Sequence, residues 1–315
     1  MEGTITAPAS RAHCEIGRRV RRLSAWADRR LFILFIAPGF VCLSAVIFYP
    51  AIYNLVVSFT DASLVYPSTS FVGIDNYSDT VADPAFWRAA LITLLWTSLS
   101  VAGQLLVGLL GALALEHVTA GRAALRLALV VPWAFPSIVL AFDWRFMLDP
   151  LYGVANHLLM LLGLIDAPAA WLSQRPTALP VLVLMNVWFG FPFMMVSLIA
   201  GLAAIPREQY EAAMVDGANF WQEFRFITLP GLARIMATLV ILRTIWVFNN
   251  FEFVFLTTGG GPVDATTTLP IYAFNIGWIG YDLGRMAAVA VLMMAMLSLI
   301  LAIYFRVLRA AEAAP

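Results

Sequence analysis

Six apolar stretches, each long enough to cross a bilayer, constrain this chain more than any other feature. They run from Phe32 to Phe59, Ala89 to Leu115, Ala123 to Met147, Ala178 to Ala204, Gly231 to Phe255 and Leu283 to Phe305. About 20 mostly apolar residues suffice for one crossing. Lipid offers no partner to a bare peptide group, so each stretch is expected to be a helix. Composition closes the alternatives. The chain is 62% hydrophobic and 12% charged, whereas a soluble domain carries about 25% charged residues. It cannot cover a water-facing surface of ordinary polarity, and it is far too apolar to be disordered. The expected class is all-α, a multi-pass membrane protein of six transmembrane helices.

Arginine sets the orientation. Lysine is absent and all 19 basic residues are Arg, which reads as high-GC codon usage. Arg18, Arg19, Arg21, Arg22, Arg29 and Arg30 precede the first stretch. Arg122, Arg126, Arg207, Arg225, Arg306 and Arg309 fall in the connections and terminus that share its side if there are six spans. Asp61, Asp75, Asp79, Asp83, Asp149, Asp166, Asp264 and Asp282 collect on the other side. Both termini are therefore expected in the cytoplasm. The basic tail before an apolar stretch looks like a signal peptide, but the stretch is too long and lacks a cleavage site, so it reads as an uncleaved first span. Residues 1–30 are expected to form a basic tail, 31–309 the six-helix membrane domain and 310–315 a C-terminal tail. Pro38, Pro50, Pro132, Pro136 and Pro192 predict kinks within spans. The segment Leu151 to Ile165, with Asn156 and His157, is too short to span. It fits an interfacial or re-entrant helix at the outer mouth equally as well as a helix packed on the bundle.

Catalytic chemistry has no foothold. Cys14 and Cys42 make no framework, and His13, His117 and His157 have no ligand spacing. No catalytic residue, metal site or bound cofactor is expected. No Walker-type phosphate loop occurs, so ATP hydrolysis is not expected of this chain. An ion-coupled secondary transporter would need carboxylates inside the spans. Asp143 and Glu252 are the candidates, both near outer ends.

The connection Ile205 to Pro230, IPREQYEAAMVDGANFWQEFRFITLP, is longer than joining two helices requires. Pro206 suits a helix start, Glu208 and Glu211 suit its positive end, and Gly217 can take a positive φ to stop it. A second amphipathic piece, Phe220 to Ile227, follows, and Leu229-Pro230 opens the fifth span. The pattern Glu211-Ala212-Ala213, three residues, Gly217, nine residues, Ile227, one residue, Leu229-Pro230 resembles the EAA loop of ATP-binding-cassette (ABC) importer permeases. In that family the loop docks on a cytoplasmic ATPase and transmits its closure. The resemblance makes Glu211, Ala212, Ala213, Asp216 and Gly217 the expected ATPase-coupling residues.

FNNFEFVFLTTGGGP, Phe248 to Pro262, with ATTTLPIYAF, Ala265 to Phe274, resembles carbohydrate permeases of the maltose and glycerol-3-phosphate importer type. NVWFGFPFMM, Asn186 to Met195, is similar to the MalF-like branch, and the six-span length to UgpA-like members. These are binding-protein-dependent transport inner-membrane components with the type I importer permease (MetI-like) fold. The likeness implies a sugar importer in the bacterial plasma membrane, carrying an oligosaccharide or disaccharide by alternating access. It also implies a second homologous permease, an ATPase dimer holding ATP and Mg, and an extracytoplasmic substrate-binding protein. Positions matching the family's sugar contacts are Asn186, Phe189, Gly190 and Phe193 in the fourth span, and Arg243, Trp246, Val247 and Asn250 in the fifth. Val247, Arg243 and Phe193 stand where the maltose type has asparagine, serine and tyrosine, which tells against maltose itself.

The residues themselves agree. Asn186 and Asn250 put amides inside predicted spans, where they need partners. Trp246, Phe189 and Phe193 offer faces to pyranose rings, and Gly190 lets a ligand approach the backbone. Arg243 costs about 2.5–3.5 kcal/mol to insert at the bilayer centre. Substrate, Asp143 or the inward cavity could offset that. Glu252 lies about 13 Å further along a straight helix, beyond direct pairing within it. A phosphate or carboxylate substrate would suit Arg243 and keeps glycerophosphodiesters and sugar acids open. The Gly259-Gly260-Gly261 turn and the acidic outer loops are expected to meet the binding protein.

Overall fold

A computed structural model describes residues 9–67 and 69–313, with side chains from residue 31 except 32, 117 and 311–313. The outermost N-terminal residues 1–8 and the end of the C-terminal tail lie outside the described residues, as do the side chains of Cys14, His13, His117 and the tail arginines. Thirteen α-helices appear in order: α1 (Ala9–Val57), α2 (Asp75–Ala82), α3 (Pro84–His117), α4 (Arg122–Ala134), α5 (Ser137–Met147), α6 (Val154–Leu161), α7 (Arg175–Ala203), α8 (Arg207–Val215), α9 (Phe220–Glu223), α10 (Leu229–Phe248), α11 (Glu252–Thr258), α12 (Leu269–Phe274) and α13 (Leu283–Ala313). Two isolated β-bridges, Thr60 to Phe71 and Ser63 to Asp282, are the only extended pairings among the described residues.

The chain divides at Val56 into two units. The first is the long helix α1, whose apolar part from Ile33 to Val57 has no buried residue. Pro38 and Pro50 lie within it.

In the second unit, spans run Pro84–Glu116, Arg175–Ala203, Phe220–Phe248 and Leu283–Ala310. With the first unit's Ile33–Val57 they make five unbroken spans among the described residues. The remaining expected span, Ala123 to Met147, is not one rod. It is α4 and α5, bent by 95°. Phe135 precedes Pro136 and takes an extended conformation, φ −87° and ψ 144°. A residue before proline is driven out of the helical region, so two short helices replace one.

The fifth expected span, Gly231 to Phe255, also needs correction. Its helix ends at Phe248, and α11 restarts at Glu252 and stops at Gly259 with φ 61°. Two asparagines occupy the break. The Asn249 side-chain amide donates to the Ile245 carbonyl at 2.9 Å, and the Asn250 side-chain oxygen Oδ1 accepts from the Phe253 N–H at 3.1 Å. Trp96 Nε1 donates at 3.0 Å to the Val247 carbonyl, which also accepts from the Asn250 N–H at 3.1 Å. Side chains thus take over backbone bonds that lipid could not supply.

Helices α3, α7 and α10 form the core around Trp96, Met185, Leu198 and Leu232, all fully buried. Gly103 lies against Val187, Gly108 against Met194 and Gly111 against Met195, so α3 and α7 run parallel at close range. Small residues at such crossings let backbones approach where no hydrophobic effect drives association. At the far end, Asp83 caps α3 through the Ala85 N–H at 2.8 Å. Its other oxygen accepts from Tyr272 of α12 at 2.8 Å and Arg285 of α13 at 2.7 Å.

The short helix after α5 is narrower than its apolar segment, and its Asn156 is buried. Asn156 accepts from Trp171 Nε1 at 2.8 Å and the Ala169 N–H at 3.2 Å, and it donates to the Ala169 carbonyl at 3.0 Å. It ties that loop together, while His157 stays exposed.

Candidate functional site

The connection between α7 and α10 folds as a helix–turn–helix. Pro206 is extended, φ −60° and ψ 132°, and Glu208 sits in the first turn of α8. Gly217 has φ 75°. The Gly217 N–H reaches the Met214 carbonyl at 3.1 Å and the Ala218 N–H reaches Ala213 at 2.9 Å. These are the paired bonds of a Schellman stop, which needs a residue at ease with positive φ. Asn219 and Gln222 then form a reciprocal capping box. A wide π-turn from Phe224 to Thr228 follows, closed by the Leu229 N–H on the Phe224 carbonyl. Pro230, which has no N–H, comes directly after it. The amphipathic piece and the fifth span are therefore one continuous helical run, Phe220–Phe248.

Glu211, Ala212, Asp216 and Gly217 are exposed, and Ala213 is half-buried. Beside them Met214, Val215, Trp221 and Phe226 are 70%, 88%, 72% and 70% exposed. Tyr210 anchors the other face of α8, sharing a hydrogen bond of 2.9 Å with Thr228. A cavity of about 500 Å³ between α8 and the ends of α3 and α7 is bordered by Glu116, Arg122, Arg207 and Glu211.

The residues singled out in α7 and α10 do not form one group. Asn186, Gly190 and Arg243 meet around a residue that the sequence reading missed, Gln104 of α3. Gln104 is fully buried and donates from Nε2 to the Asn186 carbonyl at 2.9 Å. Its Oε1 accepts from Arg243 Nε at 2.7 Å. Arg243 pairs with neither Asp143 nor Glu252. The one ion pair among the described residues is Asp83 with Arg285. A Cβ placed at Gly190 would collide with the Arg243 guanidinium and the Gln104 amide. The room beside Gly190, expected for a ligand, thus holds these two side chains. A lone glutamine inside an apolar stretch was the signal available for Gln104, since intramembrane polar groups are costly unless they do something.

Aromatic rings extend from this cluster. The Arg243 guanidinium carbon lies 5.7 Å from the Trp246 ring centroid. Trp246 and Phe193 are 5.3 Å apart, and Trp133 of α4 continues the wall at 5.7 Å from Phe193. Phe189 departs from the group and stacks on Phe253 at 6.3 Å. Asn250 is used at the helix break, and Val247 is buried. Several buried polar atoms lack partners among the described residues: the Asn186 amide nitrogen, and the Thr97 and Ser100 hydroxyls of α3.

Comparison with known proteins places this geometry. The trehalose/maltose transport system permease protein of Thermococcus litoralis is 34% identical over 90% of this chain and 95% of its own. The sulfoquinovosyl glycerol transport system permease protein of Agrobacterium fabrum is 36% identical over 93% and 96%. A chain of the bacterial alginate ABC transporter, crystallised in complex with an alginate pentasaccharide-bound periplasmic protein, matches the fold. Its TM-score is 0.77 and its identity 24%, over 92% of this chain and 98% of that one. Residues 104–312 match the binding-protein-dependent transport system inner membrane components, and the chain belongs to that family of ABC permeases.

Proposed function

We propose that the chain is a permease subunit of an ATP-driven, binding-protein-dependent sugar importer, with an oligosaccharide or disaccharide as cargo. The observation that carries the sugar reading is the similarity over nearly full length to permeases named for trehalose/maltose and sulfoquinovosyl glycerol transport. The half-exposed Trp246 beside Phe193, next to buried Asn186 and Arg243, supports it. Aromatic faces with a few polar groups are what a saccharide site needs. Asn186, Gly190, Arg243, Trp246 and Phe193 form its centre, with Phe189 and Asn250 supporting the adjoining helix.

In this reading α8 is the coupling helix. Glu211, Ala212, Ala213, Asp216 and Gly217, with the exposed Met214 and Val215, enter a cleft of an ATPase subunit that holds ATP and Mg. A second homologous permease completes the path, and both termini lie in the cytoplasm. The outer loop from Gly259 to Thr268 and the acidic outer segments receive the loaded binding protein. ATP-driven closure moves α8, Tyr210 passes the motion to the fifth span, and the cavity changes sides. A glycerophosphodiester cargo is the second reading, favoured by buried Arg243 alone.

The test is purification of the tagged chain from its native membrane in mild detergent, with mass spectrometry of what accompanies it. A second permease and a Walker-motif ATPase are expected, and the ATPase is expected to be lost from a Glu211→Arg variant. A chain that runs alone or as a homodimer overturns the reading.

A further inference from the structure

Resting on the saccharide reading above, we propose that the cargo carries an oxyanion group, carboxylate, sulfonate or phosphate, and that Arg243 is the residue that selects it.

Arg243 is 5% exposed and lies inside the fifth span. Its one hydrogen bond among the described residues uses Nε, and the acceptor is the neutral amide of Gln104. Among the described residues no carboxylate comes within ion-pair distance. A buried cation ordinarily has a counter-charge, because burying it alone is costly. Gln104 cannot supply that charge, but it does something else. Held by the Asn186 carbonyl through its other end, it fixes the guanidinium by Nε and leaves the Nη fork without an acceptor among the described residues, with one Nη lying against Gly190. Such a fork matches an oxyanion through two parallel hydrogen bonds.

A second, independent donor points to the same place. The Asn186 side-chain nitrogen is buried without a partner, one helical turn from Gly190, against which the guanidinium lies. On the other side the guanidinium faces Trp246, which is 48% exposed. A cation fork, an unmet amide donor and an accessible indole face together suit a sugar ring bearing one negative group.

The experiment uses the importer assembled with its partner subunits in lipid nanodiscs, without the binding protein, so that only the membrane site is read. Saturation-transfer-difference NMR measures two probe pairs that differ by charge: glucuronosyl-β-1,4-glucose against cellobiose, and trehalose 6-phosphate against trehalose. In at least one pair the acidic member is expected to bind tenfold or more tightly. Arg243→Gln should erase that preference and Arg243→Lys should keep part of it. Equal binding within both pairs overturns the charge selection while leaving the sugar reading intact, and it would assign the counter-charge to the second permease. A preference that survives Arg243→Gln overturns the assignment to Arg243. No binding by any probe overturns this proposal together with the saccharide reading. The wild-type comparison requires no variant to fold.

Discussion

Tyr210 of α8 and Thr228 at the foot of the fifth span share a hydrogen bond of 2.9 Å between their hydroxyls. Eighteen residues separate them along the chain, and the intervening turn is exposed at Trp221 and Phe226. The bond is therefore a direct tie between the element proposed to meet an ATPase and a helix lining the proposed path. Tyr210→Phe removes it while keeping the ring on the core. A net loss of about 1 kcal/mol in stability is expected. If the tie transmits movement, sugar uptake should fall several-fold more than ATP hydrolysis. Uptake and hydrolysis measured on the same proteoliposomes check this, and a proportional fall in both would make the bond structural only.

Gly217 ends α8 at φ 75° with open space around its Cα. Substitution there acts through backbone strain, because nothing is close enough to clash. Gly217→Ala should cost about 1–2 kcal/mol, and Gly217→Asn less, since asparagine tolerates this conformation. Glu211→Arg leaves the backbone alone, and Glu211 is exposed. Its thermal midpoint should match wild type while the ATPase no longer co-purifies. Differential scanning fluorimetry alongside affinity purification separates the two effects.

Helix count and loop were legible for physical reasons. A span must be apolar over its whole length, so four of the six expected stretches survive as helices of nearly the expected extent, and Gly217 adopts the positive φ its position called for. What was not legible is local or distant. A hydropathy window averages over Phe135-Pro136 and over Asn249-Asn250, because breaking a helix there adds little polarity; the 95° bend and the break after Phe248 come from backbone bonding. Pro136 did mark a kink but not its size. Gln104 meets Arg243 across 139 residues, and no periodicity within one helix reports a partner on another. The aromatic Phe189 and Phe193 sit one turn apart on α7, yet one turns to Phe253 and the other to Trp246. That division depends on the α11 restart, which was itself unseen.

Asp83 gives the fold a pH dependence. Burial pushes its carboxyl up, but the Ala85 N–H, Tyr272 and Arg285 outweigh burial and hold it below the ordinary carboxylate value. A folded pKa below the unfolded one adds stability that is present above the unfolded value, about 3.9, and is lost as pH falls through the folded one. The side chains of Arg285 and Asp83 are 26% and 28% exposed, so the ion pair is partly screened and contributes on the order of 1 kcal/mol or less. Thermal unfolding of wild type and Asp83→Asn should differ by a constant margin from neutral pH down to about pH 5. The margin should shrink below about pH 4. A margin that does not change with pH would assign the effect to capping and packing instead of charge.

The Gly190 recess makes a prediction about coupling between three helices. Gly190 of α7 has no Cβ because the Arg243 guanidinium of α10 and the Gln104 amide of α3 occupy that volume. Gly190→Ala overpacks the site and should cost about 1–3 kcal/mol. Gln104→Ala empties volume beside the same glycine and frees the guanidinium from its acceptor at 2.7 Å, so alone it too should destabilise, by about 1–3 kcal/mol for an unmet buried donor. Together the two changes should be less harmful than their sum, because the methyl introduced at Gly190 enters space that the amide has left. A favourable interaction of about 0.5–3 kcal/mol is the range for residues in contact. Denaturant or thermal midpoints of the two single variants and the double variant, in one detergent, measure it. Strict additivity would mean that the guanidinium alone fills the recess.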